Sequence, residues 1–369
     1  MDNIKHIPLF WPHVTDSMRE AVAATLKTRW IGQAHQVDEF EQQFQSVFQT
    51  YPAVAVSSGT AALHLAYILA GIKDGDEVIS PVFTCTATNI PLLYQRAKIV
   101  FADVQADTLN IDPEDVARKV NEKTKAIVCV HYAGLPCDMG GLQAIAKKWN
   151  IPIIEDAAHA YGAKYHGVPV GGMSEFTCYS LQAIKTITTA DGGVLTIKDP
   201  TLVDKAKRLR WFGLERKAGF RANWEQDITE VGYKYQMTDI SASMGKAALG
   251  ELGRILQYRR QLFTRYSERL ASIEGISVIK GKYNYTHGVW ILTVLVENNR
   301  ESLMKKLSEK GIENGLVHFR NDQYSIFGGK KLDLPNMNAL ESKYLVLPLH
   351  MNMTLEDVDY VCDNVKEGW

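Results

Sequence analysis

Three short stretches bring reactive residue types next to glycine or to the end of an apolar run. In VSSGTAALHL, Ser58 can cap a helix and Gly59 lets backbone approach a ligand closely. The amides of Gly59, Thr60 and Ala61 would then point out of a helix N-terminus, where an anion is stabilised. By itself this reads equally as an ordinary strand–turn–helix cap. In IPIIEDAAHA, an apolar run ends in Asp156, with His159 just beyond it. Asp156 can also be read as a helix cap, and His159 as a satisfied core histidine. In CYSLQAIKTITTADGG, Ser180 closes a β-rich run and Lys185 sits between Ile184 and Thr186 ahead of Gly192 and Gly193. A lysine buried there with its charge is costly. It is either a snorkelling surface lysine or an amine that forms a Schiff base with a carbonyl partner.

One ligand reconciles the three. A phosphate asks for a helix N-terminus and hydroxyls, supplied by Thr60 and Ser180. A pyridine nitrogen asks for a buried carboxylate, Asp156, and an aldehyde asks for an amine, Lys185. Pyridoxal 5′-phosphate (PLP) carries all three groups, and its protonated ring acts as an electron sink. The order phosphate loop, acid, lysine is that of the aspartate-aminotransferase-like class.

These residues need strand ends to hold them. Candidate strands are Ala53–Val56, Glu77–Ser80, Lys98–Phe101, Ala126–Val130, Pro152–Glu155, Glu175–Tyr179 and Gly193–Ile197, separated by helical patterns such as MGGLQAIAKKW. Strands alternating with helices give an α/β fold: a mostly parallel seven-stranded sheet with helices on both faces, and the resemblance to the aspartate-aminotransferase-like class implies PLP fold type I. Ligands of such sheets bind at the carboxyl ends of strands. After a long helical stretch from Ser241 to about Leu270 comes a smaller α+β pattern, with a strand at Gly288–Val296 and helices near Arg300–Lys310 and Leu355–Glu367. The 369 residues suit two domains at about 150 residues each: 1–250, a PLP-binding α/β domain with an N-terminal arm, and 251–369, a small C-terminal α+β domain, packed closely together.

Lys+Arg at 41 against Asp+Glu at 42 leaves a net charge of −1, with no electrostatic footprint for nucleic acid or an anionic membrane. No apolar run approaches the roughly 18 residues of a membrane span. MDNIKHIPLFWPHVTDSMRE lacks the apolar core of a signal peptide. The five cysteines (Cys85, Cys129, Cys137, Cys178, Cys362) form no C-x-x-C pair, so a reduced cytoplasmic setting is expected, with no metal site.

Over essentially its full length the sequence resembles the DegT/StrS family of sugar-nucleotide aminotransferases. The matching stretches include RWIGQAHQVDEFEQQF, VSSGTAALHLA, GDEVISP, TLNIDPEDV, VHYAGLPCDM, IIEDAAHAYGAKYHG, VGYKYQMTDISASMG and LVLPLH. VHYAG, EDAAHA and GYKYQMTD look most like the branch that aminates C4 of nucleotide-linked 4-keto sugars. The resemblance implies that Lys185 is the Schiff-base lysine, Asp156 the pyridine-nitrogen partner, and Gly59, Thr60, Ala61 and Ser180 the phosphate contacts. His159 would lie against the cofactor ring. L-glutamate would be the amino donor. Family members act as homodimers whose GY-x-Y segment reaches the neighbouring cofactor phosphate, a position held here by Lys234. His318 and Arg320 would border the substrate channel, Arg320 meeting a diphosphate by paired donors.

Two departures stand out. Cys85, a cofactor-binding position by the resemblance, occupies the place of the usual ring-stacking aromatic, so stacking is either weaker or supplied by another residue such as nearby Phe83. Asp191 replaces the common Glu before the glycine pair. Lys185 argues against the dehydratases of the family, which carry His there. A 3-keto sugar aminotransferase and a non-catalytic PLP-binding regulator are the competing expectations.

Overall fold

The computed structural model describes residues 5–216, 225–281 and 284–369. Seven strands form the large sheet: β1 (Ala53–Val56), β2 (Glu77–Pro81), β3 (Lys98–Ala102), β4 (Thr124–Val130), β5 (Ile153–Asp156), β6 (Phe176–Ser180) and β7 (Gly193–Ile197). Their order is β1-β7-β6-β5-β4-β2-β3. β6, β5, β4, β2 and β3 pair in parallel, while β7 runs antiparallel to both of its neighbours. The connection explains the exception. Residues 181–192 join β6 to β7 without a helix, whereas a parallel return is usually made through a helical crossover. β7 therefore doubles back, and the loop it closes carries Lys185.

The helices of this part are α1 (Asp16–Leu26), α2 (His35–Phe48), α3 (Gly59–Leu69), α4 (Thr86–Tyr94), α5 (Pro113–Lys119), α6 (Met139–Trp149), α7 (Val203–Leu209) and α8 (Asp239–Leu270). Side chains of β1 alternate between two cores. Ala53 and Ala55 join Phe40, Phe44 and Leu249 beneath α2 and α8, whereas Val54 and Val56 join Leu63, Leu65 and Val128 beneath α3. Both faces of the sheet are thus covered, as continuous apolar strands require. α2 has no side-chain cap of its own. The buried Asp239 at the start of α8 supplies one, accepting from the N–H groups of Ala34 at 2.7 Å and Val37 at 3.3 Å. A carboxylate there suits the positive end of the helix.

The remaining lobe has an antiparallel sheet of β8 (Ile276–Val278), β9 (Leu292–Val296) and β10 (Tyr344–Leu347), with α9 (Arg300–Glu309), α10 (Pro335–Leu340) and α11 (Leu355–Lys366). The strand expected from Gly288 begins only at Leu292. Val289 has a left-handed φ of 52°, which breaks the extended run. The Gly288 and Trp290 N–H groups bond instead to the carbonyls of Gly134 and Ala133, at 2.8 and 2.9 Å. A second tie is the two-residue pairing of Phe83–Thr84 with Phe319–Arg320.

Gly134 sits in the first tie with φ 97°. A Cβ there would lie 2.7 Å from the His159 carbonyl oxygen and 2.8 Å from the Val289 nitrogen, both backbone atoms that cannot step aside. Gly134→Ala should therefore cost well over 1 kcal/mol, read as a drop in urea midpoint. Gly167→Ala, at φ 84° with nothing within 4 Å, should cost less.

Candidate active site

β1, β5 and β6 point the same way, so their carboxyl ends open on one edge of the sheet. Gly193 pairs with Val56 on one side and Ser180 on the other, which draws the turn after β1 against the end of β6. Contact is close: a Cβ on Gly59 would lie 2.8 Å from Ser180 Cβ and 3.2 Å from Ser180 Oγ, and one on Gly193 only 2.3 Å from the Ser58 carbonyl oxygen. Only glycine fits at either place. Ser58 caps α3 by accepting from the Ala61 N–H at 3.0 Å. The Ala61 amide is therefore turned to the cap and not to an outside anion, which corrects the expectation of three phosphate-facing amides. Gly59 and Thr60 remain at the helix start beside Ser180.

Asp156 closes β5 and is buried. Its carboxylate accepts from Thr88 Oγ1 at 2.8 Å and from the Ala158 N–H at 3.1 Å. Burial pushes its carboxyl above the usual range, while the Thr88 and Ala158 bonds and the charge of Lys185 pull it back. Beneath it, the His131 N–H bonds to the Asp156 carbonyl at 3.1 Å, and His131 Nε2 lies 2.8 Å from the buried carboxylate of Glu155.

Lys185 is half-buried, and its Nζ lies 3.7 Å from the ring centroid of Trp290. Burial draws its pKa down to about 8, opposed by Cys85 and Asp156. An amine so tuned is partly neutral, hence nucleophilic, near neutral pH. The Trp290 indole N–H donates to the Ile184 carbonyl at 2.9 Å. His159 stacks on Trp290 at 3.8 Å and 14°, and its Nε2 lies 3.5 Å from Nε2 of His318. Burial, with Lys185 alongside, holds both imidazoles neutral, His318 down to about 3. His159 Nδ1 is buried with no hydrogen-bond partner among the described residues. A buried orphan nitrogen beside an amine, a carboxylate and a bare-backbone turn fits PLP: the turn and Ser180 for its phosphate, Asp156 for its ring nitrogen, Lys185 for its aldehyde.

The structure thus gathers Gly59, Thr60, Ser180, Asp156, His159, Lys185 and His318. Cys85, at the start of α4, is exposed and free, near enough to Lys185 to act on its charge. The expected aromatic substitute is corrected. Phe83 is buried against Tyr132 and Tyr344, at 5.1 and 4.9 Å between ring centroids, and the ring beside Lys185 is Trp290. Lys234 is exposed, with Nζ 3.9 Å over Trp211; its segment reaches the turn after β1, where the Tyr235 carbonyl accepts from the Ser57 N–H at 2.7 Å. A cavity of about 550 Å³ between α2 and α7, lined by Asp38, Glu41, Lys207 and Arg210 among others, contains none of these groups. Sequence reading missed Trp290, which stands in the apolar run VWILTV, and Thr88, whose only signal was its place one turn past Cys85.

A family model described as the DegT/DnrJ/EryC1/StrS aminotransferase family matches residues 12–366. GDP-perosamine synthase of Escherichia coli O157:H7 is 33% identical over 99% of this chain and 99% of its own. UDP-4-amino-4-deoxy-L-arabinose–oxoglutarate aminotransferase of Shewanella sediminis is 33% identical over 98% of this chain and 97% of its own. Among solved structures, Spr1654 of Streptococcus pneumoniae in its PLP form superposes with a TM-score of 0.91 at 30% identity, covering 98% of each chain.

Arg320, expected to meet a diphosphate, is engaged elsewhere. It is 1% exposed. Its Nε and Nη2 donate to the two Asp322 oxygens at 2.7 Å each, and it also bonds Asn338 Oδ1 at 2.7 Å, the Leu332 carbonyl at 2.9 Å and Glu341 at 3.4 Å. All five donors of a guanidinium are taken, so no fork is left for a ligand. Arg320→Met would strand the buried Asp322 carboxylate and should cost about 3–5 kcal/mol of stability, measured by urea denaturation. Unchanged stability with a raised substrate KM would restore the diphosphate role.

Proposed function

The chain belongs to the DegT/DnrJ/EryC1/StrS aminotransferase family, and from that premise we propose that it places an amino group on C4 of a nucleotide-linked keto-deoxysugar, with L-glutamate as donor. The enzyme is a sugar aminotransferase and its cofactor is PLP. The names of two relatives support the finer reading: one makes a GDP-linked amino sugar, the other pairs a UDP-linked 4-amino sugar with oxoglutarate, the keto acid left when glutamate gives up its amine. Amino-sugar synthesis for surface glycans is the setting we infer, in the cytoplasm. All five cysteines are free, and no helix among the described residues is long and apolar enough to cross a membrane.

The meeting of Lys185 with Asp156 carries the proposal. When bound, PLP supplies an electron sink for the pair of electrons left as a proton departs the donor's Cα. Lys185 Nζ is the group placed to take that proton and return it, since burial leaves it partly neutral. Asp156, aimed by Thr88 and Ala158, would keep the ring nitrogen protonated. Gly59, Thr60 and Ser180 would hold the phosphate, and His159 would border the ring. His318, next to His159, faces the substrate. The same groups serve both half-reactions, so donor and acceptor take turns in one site.

We place the division between the two domains at 250/251, within α8. A homodimer is the assembly we infer, Lys234 reaching the neighbour's phosphate. Around Lys234, Ile228 and Phe212 are exposed and Val231 is 77% exposed, an apolar run that a second copy would cover.

Purified protein given glutamate and a panel of UDP-, dTDP- and GDP-linked 4-keto and 3-keto sugars should yield a 4-amino product by mass spectrometry and NMR. Lys185→Arg should lower transfer more than about 10³-fold. A 3-amino product would move the assignment to C3. Transfer to no member of the panel would overturn the nucleotide-sugar reading.

A further inference from the structure

We propose that Trp290 is a positioning residue for the catalytic lysine: its indole face is the rest on which the Lys185 ammonium settles whenever that lysine is not bonded to the cofactor. This builds on the assignment of Lys185 above. Transamination frees the lysine amine in every cycle, and a freed four-carbon stem would otherwise scatter among rotamers. In the structure Nζ lies 3.7 Å from the Trp290 centroid. Tryptophan is the best ring for such a contact, and exclusion of water strengthens it. The same indole donates its N–H to the Ile184 carbonyl at 2.9 Å, so one side chain grips both the lysine's tip and the backbone just before it.

The ring is itself fixed before any ligand arrives. His159 stacks against it at 3.8 Å, and Phe10 from the N-terminal arm stacks at 5.8 Å. Its backbone is bolted down by Arg259 of α8. That guanidinium is buried and donates to the carbonyls of Val289 at 2.9 Å, Trp290 at 2.6 Å and Leu349 at 3.0 Å. An arginine spent on three carbonyls, around a residue with left-handed φ, over-determines one conformation of the loop. The groups facing Lys185 are Asp156 from β5, Cys85 from the start of α4, and the neutral His159 and His318. Among the described residues, Trp290 is the ring over which its charge sits.

The test uses the full-length apoenzyme and no substrate. Trace acetic anhydride labels neutral amines, and peptide mass spectrometry reads the fraction of Lys185 acetylated from pH 6 to 11. In the wild type the midpoint should lie near 8. A ring that stabilises the charged form raises the midpoint, so removing it must lower it. Trp290→Leu should bring it down by about half a unit to one and a half units. Trp290→Phe, keeping a weaker ring face, should fall between; if the Leu variant does not fold, the Phe shift decides. A midpoint unchanged or raised in the folded variants would overturn the proposal. Because no cofactor or sugar takes part, that failure is separate from one in the substrate panel.

Discussion

A lysine amine and a carboxylate, both withdrawn from water at one sheet edge, set the terms for the rest of this fold. Either charge alone would be expensive there. Asp156 and Lys185 offset part of each other's cost; Thr88 and Ala158 bond the acid, and the Trp290 ring lies 3.7 Å from the amine. That arrangement exists because β7 doubles back. The reversal places Gly193 between Val56 and Ser180, presses the turn after β1 onto the end of β6, and leaves Lys185 on the connecting loop. Change the direction of one strand and the turn after β1, the acid and the amine no longer share an edge.

The smaller lobe completes the site, and the two ties between lobes show how. Gly134 and Ala133 receive the loop that presents Trp290. The pairing of Phe83–Thr84 with Phe319–Arg320 carries His318 up to His159. Asn321 reinforces that pairing, its N–H bonding the Val82 carbonyl at 2.6 Å and its side chain the Thr84 carbonyl at 2.7 Å. Arg320 belongs to this scaffold: its buried ion pair with Asp322 fixes the turn that follows the strand, so its neighbour His318 can face inward.

Much of this was legible in the residue order. The seven strands of the large sheet fall where the apolar runs place them, because strands buried on both faces need such runs. Lys185, Asp156, Gly59 and Ser180 stood out in the sequence for a different reason: each is a residue type with few chemical substitutes, at or shortly past the end of an apolar run. What stayed hidden came from long-range packing. Nothing local distinguishes Trp290 from a core residue, since its role arises from a left-handed Val289 and from Arg259 thirty-odd positions earlier. The free donors expected of Arg320 are taken by Asp322, Asn338, Leu332 and Glu341, and Ala61's amide by Ser58; in both cases acceptors within the fold take the place expected for a ligand. Phe83 failed as a stacking ring because β-pairing turns it into the core.

The most direct check is covalent. PLP-loaded protein reduced with borohydride and digested should carry the phosphopyridoxyl mass on the peptide containing Lys185, with Asp156→Asn altering the visible absorption of the loaded protein before reduction. A modified lysine anywhere else, or loading that leaves residue 185 untouched, would contradict the convergence on which the whole site rests.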